Sequence, residues 1–309
     1  MPQARVKLII TGDDFGYCPR RNQGITECFL AGAISNVSLL VNGNAAQDAA
    51  QLARRYNIPI GLHANLSEGS PVCEALKNNS SLLNEEGFFH GKMGIRTVLA
   101  EGLLKMSEVG GNMIIIIIFC CLSSNFRFSF FPFAEIRHVF AQVLEEYGIK
   151  HTRVPIEPGL HSCDWIDPLL MDFYLGVEKD SFNTVDVFTK HGIKWPGVYI
   201  GLSTMGKNMS ISNIQSAIDN AVAAFVAKDD SSAHSSVSPH HDQGSRTVTI
   251  ELMVHPGYPS IPPVGGCGEG PDDFSQSWER LHELQTLTNT WLQSYYKARN
   301  MQLCAFKDL

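Results

Sequence analysis

Apolar and polar positions along the first hundred residues follow a strand–helix rhythm. Val6-Lys7-Leu8-Ile9-Ile10 is a nearly unbroken apolar run, as a strand buried on both faces gives. Pro19 to Ala31 carries Ile25, Cys28 and Phe29 on one helical face and stops at Gly32. Strands are expected at 37–41 and 58–63, with a helix over Ala45–Tyr56 between them. The rhythm resumes with a helix over Phe133–Tyr147 and strands at 151–155, 198–202, Thr247–Val254 and Met301–Phe306. A long helix is expected over Ser275–Lys297. Repeated strand–helix units imply parallel strands with right-handed crossovers. Seven or eight of them predict an α/β fold, a complete or distorted parallel β/α barrel, with an open doubly wound sheet as the structural alternative.

Two segments break the rhythm. Residues 229–245 are polar and aperiodic, and predict a mobile surface loop; His240-His241 within it reads as a solvated pair. Residues 109–133 are an atypical apolar insert or replacement. Ile114 to Ile118 lead into Phe119-Cys120-Cys121-Leu122 and then a phenylalanine-rich stretch. The apolar run is half the length of a membrane span, which needs about 20 residues. A barrel strand could hide the isoleucines. The phenylalanines fit no element, and the stretch reads like translated non-coding sequence.

With 309 residues, 44% of them hydrophobic and 18% charged, the chain can bury a large core and is not globally disordered. It reads as a single domain over 1–309. The net charge of -7, without a basic stripe, argues against nucleic acid as a partner. No charged segment followed by an apolar run precedes the first strand, so a cytoplasmic protein without a membrane partner is expected. None of the eight cysteines forms a C-x-x-C pair, which fits free thiols in a reducing compartment.

The candidate chemistry lies at strand ends. The first strand runs into Thr11-Gly12-Asp13-Asp14-Phe15-Gly16. Two adjacent carboxylates at a buried strand end are costly unless something positive joins them, and a divalent metal would serve. The third strand ends at His63, and the late strand at His255 in Val254-His255-Pro256-Gly257. Parallel β/α folds gather functional groups at such ends, and carboxylate with imidazole suits a hard or borderline divalent ion.

These motifs, with Asn22-Gln23-Gly24-Ile25, Gly61-Leu62-His63-Ala64-Asn65-Leu66-Ser67-Glu68-Gly69 and Met253-Val254-His255-Pro256-Gly257-Tyr258, together resemble the YdjC-like carbohydrate deacetylases. The tail from Gly265 to Gly270 and Ser277-Trp278-Glu279-Arg280 resembles the animal members. The resemblance implies a distorted, polysaccharide-deacetylase-like barrel, Mg2+ or another divalent metal, and hydrolysis of N-acetyl groups on an acetylated oligosaccharide or amino sugar. It implies Asp13 as proton acceptor, Asp14 and His63 as metal ligands, and His255 as general acid or substrate contact. The family's third ligand comes from an H-x-H-V-H strand end, which would fall near Ser129 and Phe131 here. His138 and His151 are poorly placed substitutes. The alternative is therefore an impaired isoform or a sugar-binding pseudoenzyme.

Overall fold

The structure is a computed structural model that describes residues 5–77, 80–120, 128–129, 136–233 and 247–309. Side chains at 114–120, 128–129 and 228–233 are not among those described.

In chain order, β1 (Arg5–Phe15) leads to α1 (Pro19–Leu30), β2 (Asn36–Leu40), α2 (Ala46–Tyr56) and β3 (Ile60–His63). Then come α3 (Gly91–Ala100), α4 (Met106–Cys120), β4 (Phe128–Ser129) and α5 (Ile136–Glu146). The second half holds α6 (Pro168–Lys190), β5 (Val198–Ile200), α7 (Ile211–Ala233) and β6 (Thr247–Val254). It closes with α8 (Asp273–Gln276), α9 (Glu279–Leu287), α10 (Thr290–Ala298) and β7 (Gln302–Leu303).

The strands form a parallel sheet in the order β4-β3-β2-β1-β6-β5. The seventh strand, β7, pairs with Lys7 and Leu8, on the part of β1 that precedes its ladder with β2. Among the described residues no ladder joins β5 to β4, so the ladders do not show the expected barrel closure. Among the described residues, the expected strand 151–155 is represented by an isolated bridge, His151 to Lys194.

β1 lies in the middle and alternates as its sequence predicts. Leu8 and Ile10 enter a core lined by α1, α2, α7, α9 and α10, while Ile9 packs on Cys304 and Phe306. A second core joins Leu62 of β3 to Ile95, Val109, Met113, Phe140 and Phe188 from α3 to α6. α1 sits close because Gly24 has no side chain: a Cβ there would lie 2.4 Å from Gly257 Cα.

Two readings are corrected. The isoleucine run continues helix α4 rather than a strand. A run apolar on every side gives no period, and length must arbitrate. The long helix over 275–297 is three helices: α8 ends at Gln276, α9 begins at Glu279, and Asn289 caps a fresh start at Thr290 by accepting from the Trp291 N–H. His138 is exposed on α5 and offers no replacement ligand. Most of the phenylalanine-rich stretch and of the 229–245 loop, with His240-His241, lies outside the described residues, although α7 extends to Ala233. Cys18, Cys28, Cys73, Cys163, Cys267 and Cys304 are free thiols. No helix among the described residues is long and apolar enough to cross a membrane.

Candidate active site

A cavity of about 500 Å³ opens at the carboxyl ends of β1, β3 and β6, and Asp13, Asp14, His63 and His255 all line it. Neighbouring strand residues normally point to opposite faces. Here the β1–β2 register shifts between Gly12 and Phe15, and Asp14 adopts a left-handed backbone at φ 63°. That irregularity turns both aspartates toward one space. Gly16, at φ +102°, completes the turn, where a Cβ would meet Leu40 O at 2.8 Å.

Each aspartate has its own buried arginine. Arg153 reaches Asp13 Oδ2 at 2.6 Å through Nη1 and Oδ1 at 3.1 Å through Nη2. The same guanidinium holds Glu251 Oε1 on β6 at 2.7 Å, which also accepts from Thr11. Ser38 on β2 donates to Asp13 Oδ1 at 3.0 Å. Burial would raise the Asp13 pKa, but Arg153, with His63 and His255 behind it, holds it below the usual carboxylate range.

Asp14 gives Oδ2 to Arg21 Nη1 at 3.2 Å, and its Oδ1 lies 3.6 Å from His63 Nδ1. Burial opposes the Asp14 charge, yet His255, His63, Arg21 and Lys92 together hold its pKa far below normal. Ser38 Oγ is also 2.9 Å from His63 Nδ1. A carboxylate takes the single hydroxyl proton, so Nδ1–H donates to Ser38.

His255 follows β6 directly and is buried. Its backbone N–H donates to Glu283 at 2.5 Å, and its ring stands edge-on to Phe274 with centroids 5.2 Å apart. Burial lowers its pKa against the pull of Asp14, Glu283 and Asp13. Its Nδ1 has no hydrogen-bond partner among the described residues. Arg280 lies over the other ring contact, 3.5 Å from the Phe274 centroid.

Asp14 and His63 match a divalent ion in kind, with one carboxylate oxygen and one imidazole side by side. The set stops there. No cluster of three or more His, Cys, Asp or Glu suited to a metal occurs among the described residues. Position 129, where the family's histidines would begin, is paired with His63 in the β3–β4 register, and it is a serine.

A model of the YdjC-like protein family matches residues 7–111 and 129–298. The chain belongs to that family. The match skips 112–128, the heart of the segment that reads as foreign in the sequence. Carbohydrate deacetylases match it nearly end to end: that of Xenopus laevis is 56% identical over 99% of this chain and 98% of its own. The one from Danio rerio is 53% identical over the whole of both chains, and the human one 43% identical over 100% of this chain and 93% of its own. The fold is similar to a solved structure from Enterococcus faecalis described as a cellobiose-phosphate cleavage protein. Its TM-score is 0.65 at 18% identity, covering 99% of each chain.

Sequence reasoning missed the partners. Arg21, Ser38, Arg153 and Glu251 carry the electrostatics, and only the last two left a signal: a lone charge inside an apolar strand must find an opposite charge. Glu157 is another. Its buried carboxylate accepts the N–H groups of Gly201, Leu202 and Ser203 and the Ser203 hydroxyl, pinning the turn after β5. Burial pushes it up to about 7, despite those hydrogen bonds. The folded state therefore holds this proton more tightly than the unfolded one, and the group's contribution to stability falls as pH rises from about 4.5 to about 7. Glu157→Gln should remove that slope, a relative gain of about 3 kcal/mol at pH 8. Thermal unfolding at pH 5 and pH 8 reads it, and parallel pH curves for both proteins would refute it.

Proposed function

We propose that this chain is a carbohydrate deacetylase that hydrolyses the N-acetyl group of an acetylated amino sugar. The carrying observation is the convergence of Asp13, Asp14, His63 and His255 on one cavity. Full-length relatives with that activity in their names support the reading. We take the fold to be the family's distorted barrel, with the described sheet as its larger part.

Asp14 and His63 are the residues that would hold a divalent metal such as Mg2+. Bound there, it would supply a water of lowered pKa and positive charge toward the carbonyl oxygen. Asp13, ionised and clamped by Arg153, accepts the proton of the attacking water. Its orientation is fixed by two arginine nitrogens and Ser38, so the acceptor oxygen does not have to be ordered during the reaction. The departing sugar amine needs a proton, and His255 delivers it. The imidazolium this requires is opposed by burial and favoured by Asp14, Glu283 and Asp13.

Purified protein should release acetate from N-acetylated chito-oligosaccharides when a divalent metal is added. Sugar binding without acetate release would instead make it the sugar-binding pseudoenzyme. The thin ligand set gives a second expectation. Ser129→His, placed beside His63 by the ladder, should tighten Mn2+ binding about 10- to 100-fold in calorimetric titration. An unchanged affinity would remove position 129 from the metal site.

A further inference from the structure

The cavity has two unlike walls, and only one is accounted for by the chemistry above. β1 and β3 with the loop after β3 supply the polar wall: the aspartates, His63, Asn65 and Glu68, whose carboxylate pairs with Lys92 at 2.9 Å. The opposite wall comes from α6, the end of β5 and β6. Leu170, Phe173, Tyr174 and Val177 line the cavity from one face of α6, and Leu202 and Met253 complete the surface. Apart from Val177, these residues belong to one continuous apolar cluster, so the wall is a single surface rather than scattered contacts.

This wall is poorly made for a second sugar ring. A ring seated there would turn hydroxyls toward the aliphatic and aromatic carbon of Leu170, Phe173, Val177 and Leu202, and each buried hydroxyl without a partner is costly. The hydroxyl of Tyr199, which also lines the cavity, is already directed at the Met253 sulfur, 3.1 Å away. The volume of about 500 Å³ is that of a site for a drug-sized ligand, more than an acetamido group calls for.

We propose that the α6 wall binds an apolar substituent of the substrate, so that the preferred ligand is an N-acylated amino sugar bearing an alkyl or aryl group rather than a longer oligosaccharide. The sugar end of this ligand rests on the deacetylase reading; the wall does not. The substituent can enter as aglycone or as acyl chain, and both present the same hydrocarbon to Leu170 and Phe173.

Calorimetric binding of four probes separates these cases: methyl and hexyl β-glycosides of N-acetylglucosamine, the N-hexanoyl analogue of the methyl glycoside, and N,N′-diacetylchitobiose. Two methylenes buried on the wall correspond to about tenfold in affinity. The hexyl glycoside, the hexanoyl sugar or both should bind at least about tenfold tighter than the methyl glycoside. The arm that tightens names the entry route. Leu170→Asn and Phe173→Ser, at half-buried positions facing the cavity, should erase the gain. An unchanged thermal unfolding midpoint shows that those variants remain folded. Equal affinity for all three monosaccharides, or tighter binding of chitobiose than of either hydrocarbon-bearing sugar, overturns the proposal. Acetate release is read in parallel. Tight hexyl binding without acetate sinks the deacetylase reading and leaves the wall standing; turnover of chitobiose with flat binding does the reverse.

Discussion

Arg153→Met should lower the unfolding free energy by about 3–5 kcal/mol near neutral pH. The side chains of Arg153, Asp13 and Glu251 are 4%, 2% and 1% exposed, so neither carboxylate can turn to water for compensation. Methionine fills much of the same space, which confines the loss to charge and hydrogen bonds. Deprived of the guanidinium, Asp13 and Glu251 meet the like-charge and desolvation penalties together, and the Asp13 pKa should rise. The sign follows. In the native protein Asp13 is held below its unfolded value, so its contribution is present above about pH 4 and is lost as pH falls through the folded value. In the variant the two carboxylates are the destabilising groups, and protonating them relieves the defect. The deficit in urea unfolding should therefore be larger at pH 8 than at pH 5. Adding Asp13→Asn and Glu251→Gln to Arg153→Met should recover much of it, because no buried charge is then unpaired. A single-variant loss under 1 kcal/mol, or one independent of pH, would mean that the triad is solvated.

How much of this could be read from the chain depends on how local each cause is. β1, β2, β6 and the flanking helices α1 and α2 follow from apolar spacing and from Pro19 and Gly32, all within a few residues. The strand ends gave the four cavity residues Asp13, Asp14, His63 and His255, because parallel topology fixes where such ends collect. The partners were not legible, since Arg153 lies 140 residues from Asp13 and nothing near either names the other. The paired aspartates called for a positive partner, and Arg21 and Arg153 supply positive charge beside them. α3, α4, α6 and α7 were not foreseen. α4 ends in the unbroken isoleucine run, which has no period, and α6 and α7 carry only a weak amphipathic stripe over 23 residues each. Barrel closure depends on pairings between distant edges, which local pattern does not encode.

Asp13→Asn should separate the reaction from the scaffold. The amide keeps the shape and one oxygen, so Arg153 retains an acceptor and the Glu251 contact is untouched. What disappears is the negative charge that receives the proton of the attacking water. Positioned general bases contribute roughly 10²–10⁴ in rate, and acetate release per enzyme should fall by that factor. The effect should appear in kcat, with the sugar's KM nearly unchanged, because Asp13 acts on the water and the cavity's other walls hold the sugar. Two controls fix the interpretation. Ser38→Ala removes one of the hydrogen bonds that orient Asp13 but leaves its charge, so its loss should stay near tenfold. His63→Gln should instead weaken metal affinity and be partly offset by raising metal concentration, which Asp13→Asn cannot be. If Asp13→Asn keeps more than a tenth of the native rate, the base lies elsewhere in the cavity. Glu68 is then the next carboxylate of the polar wall to examine, since Asp14 is committed to Arg21 on one oxygen and faces His63 with the other.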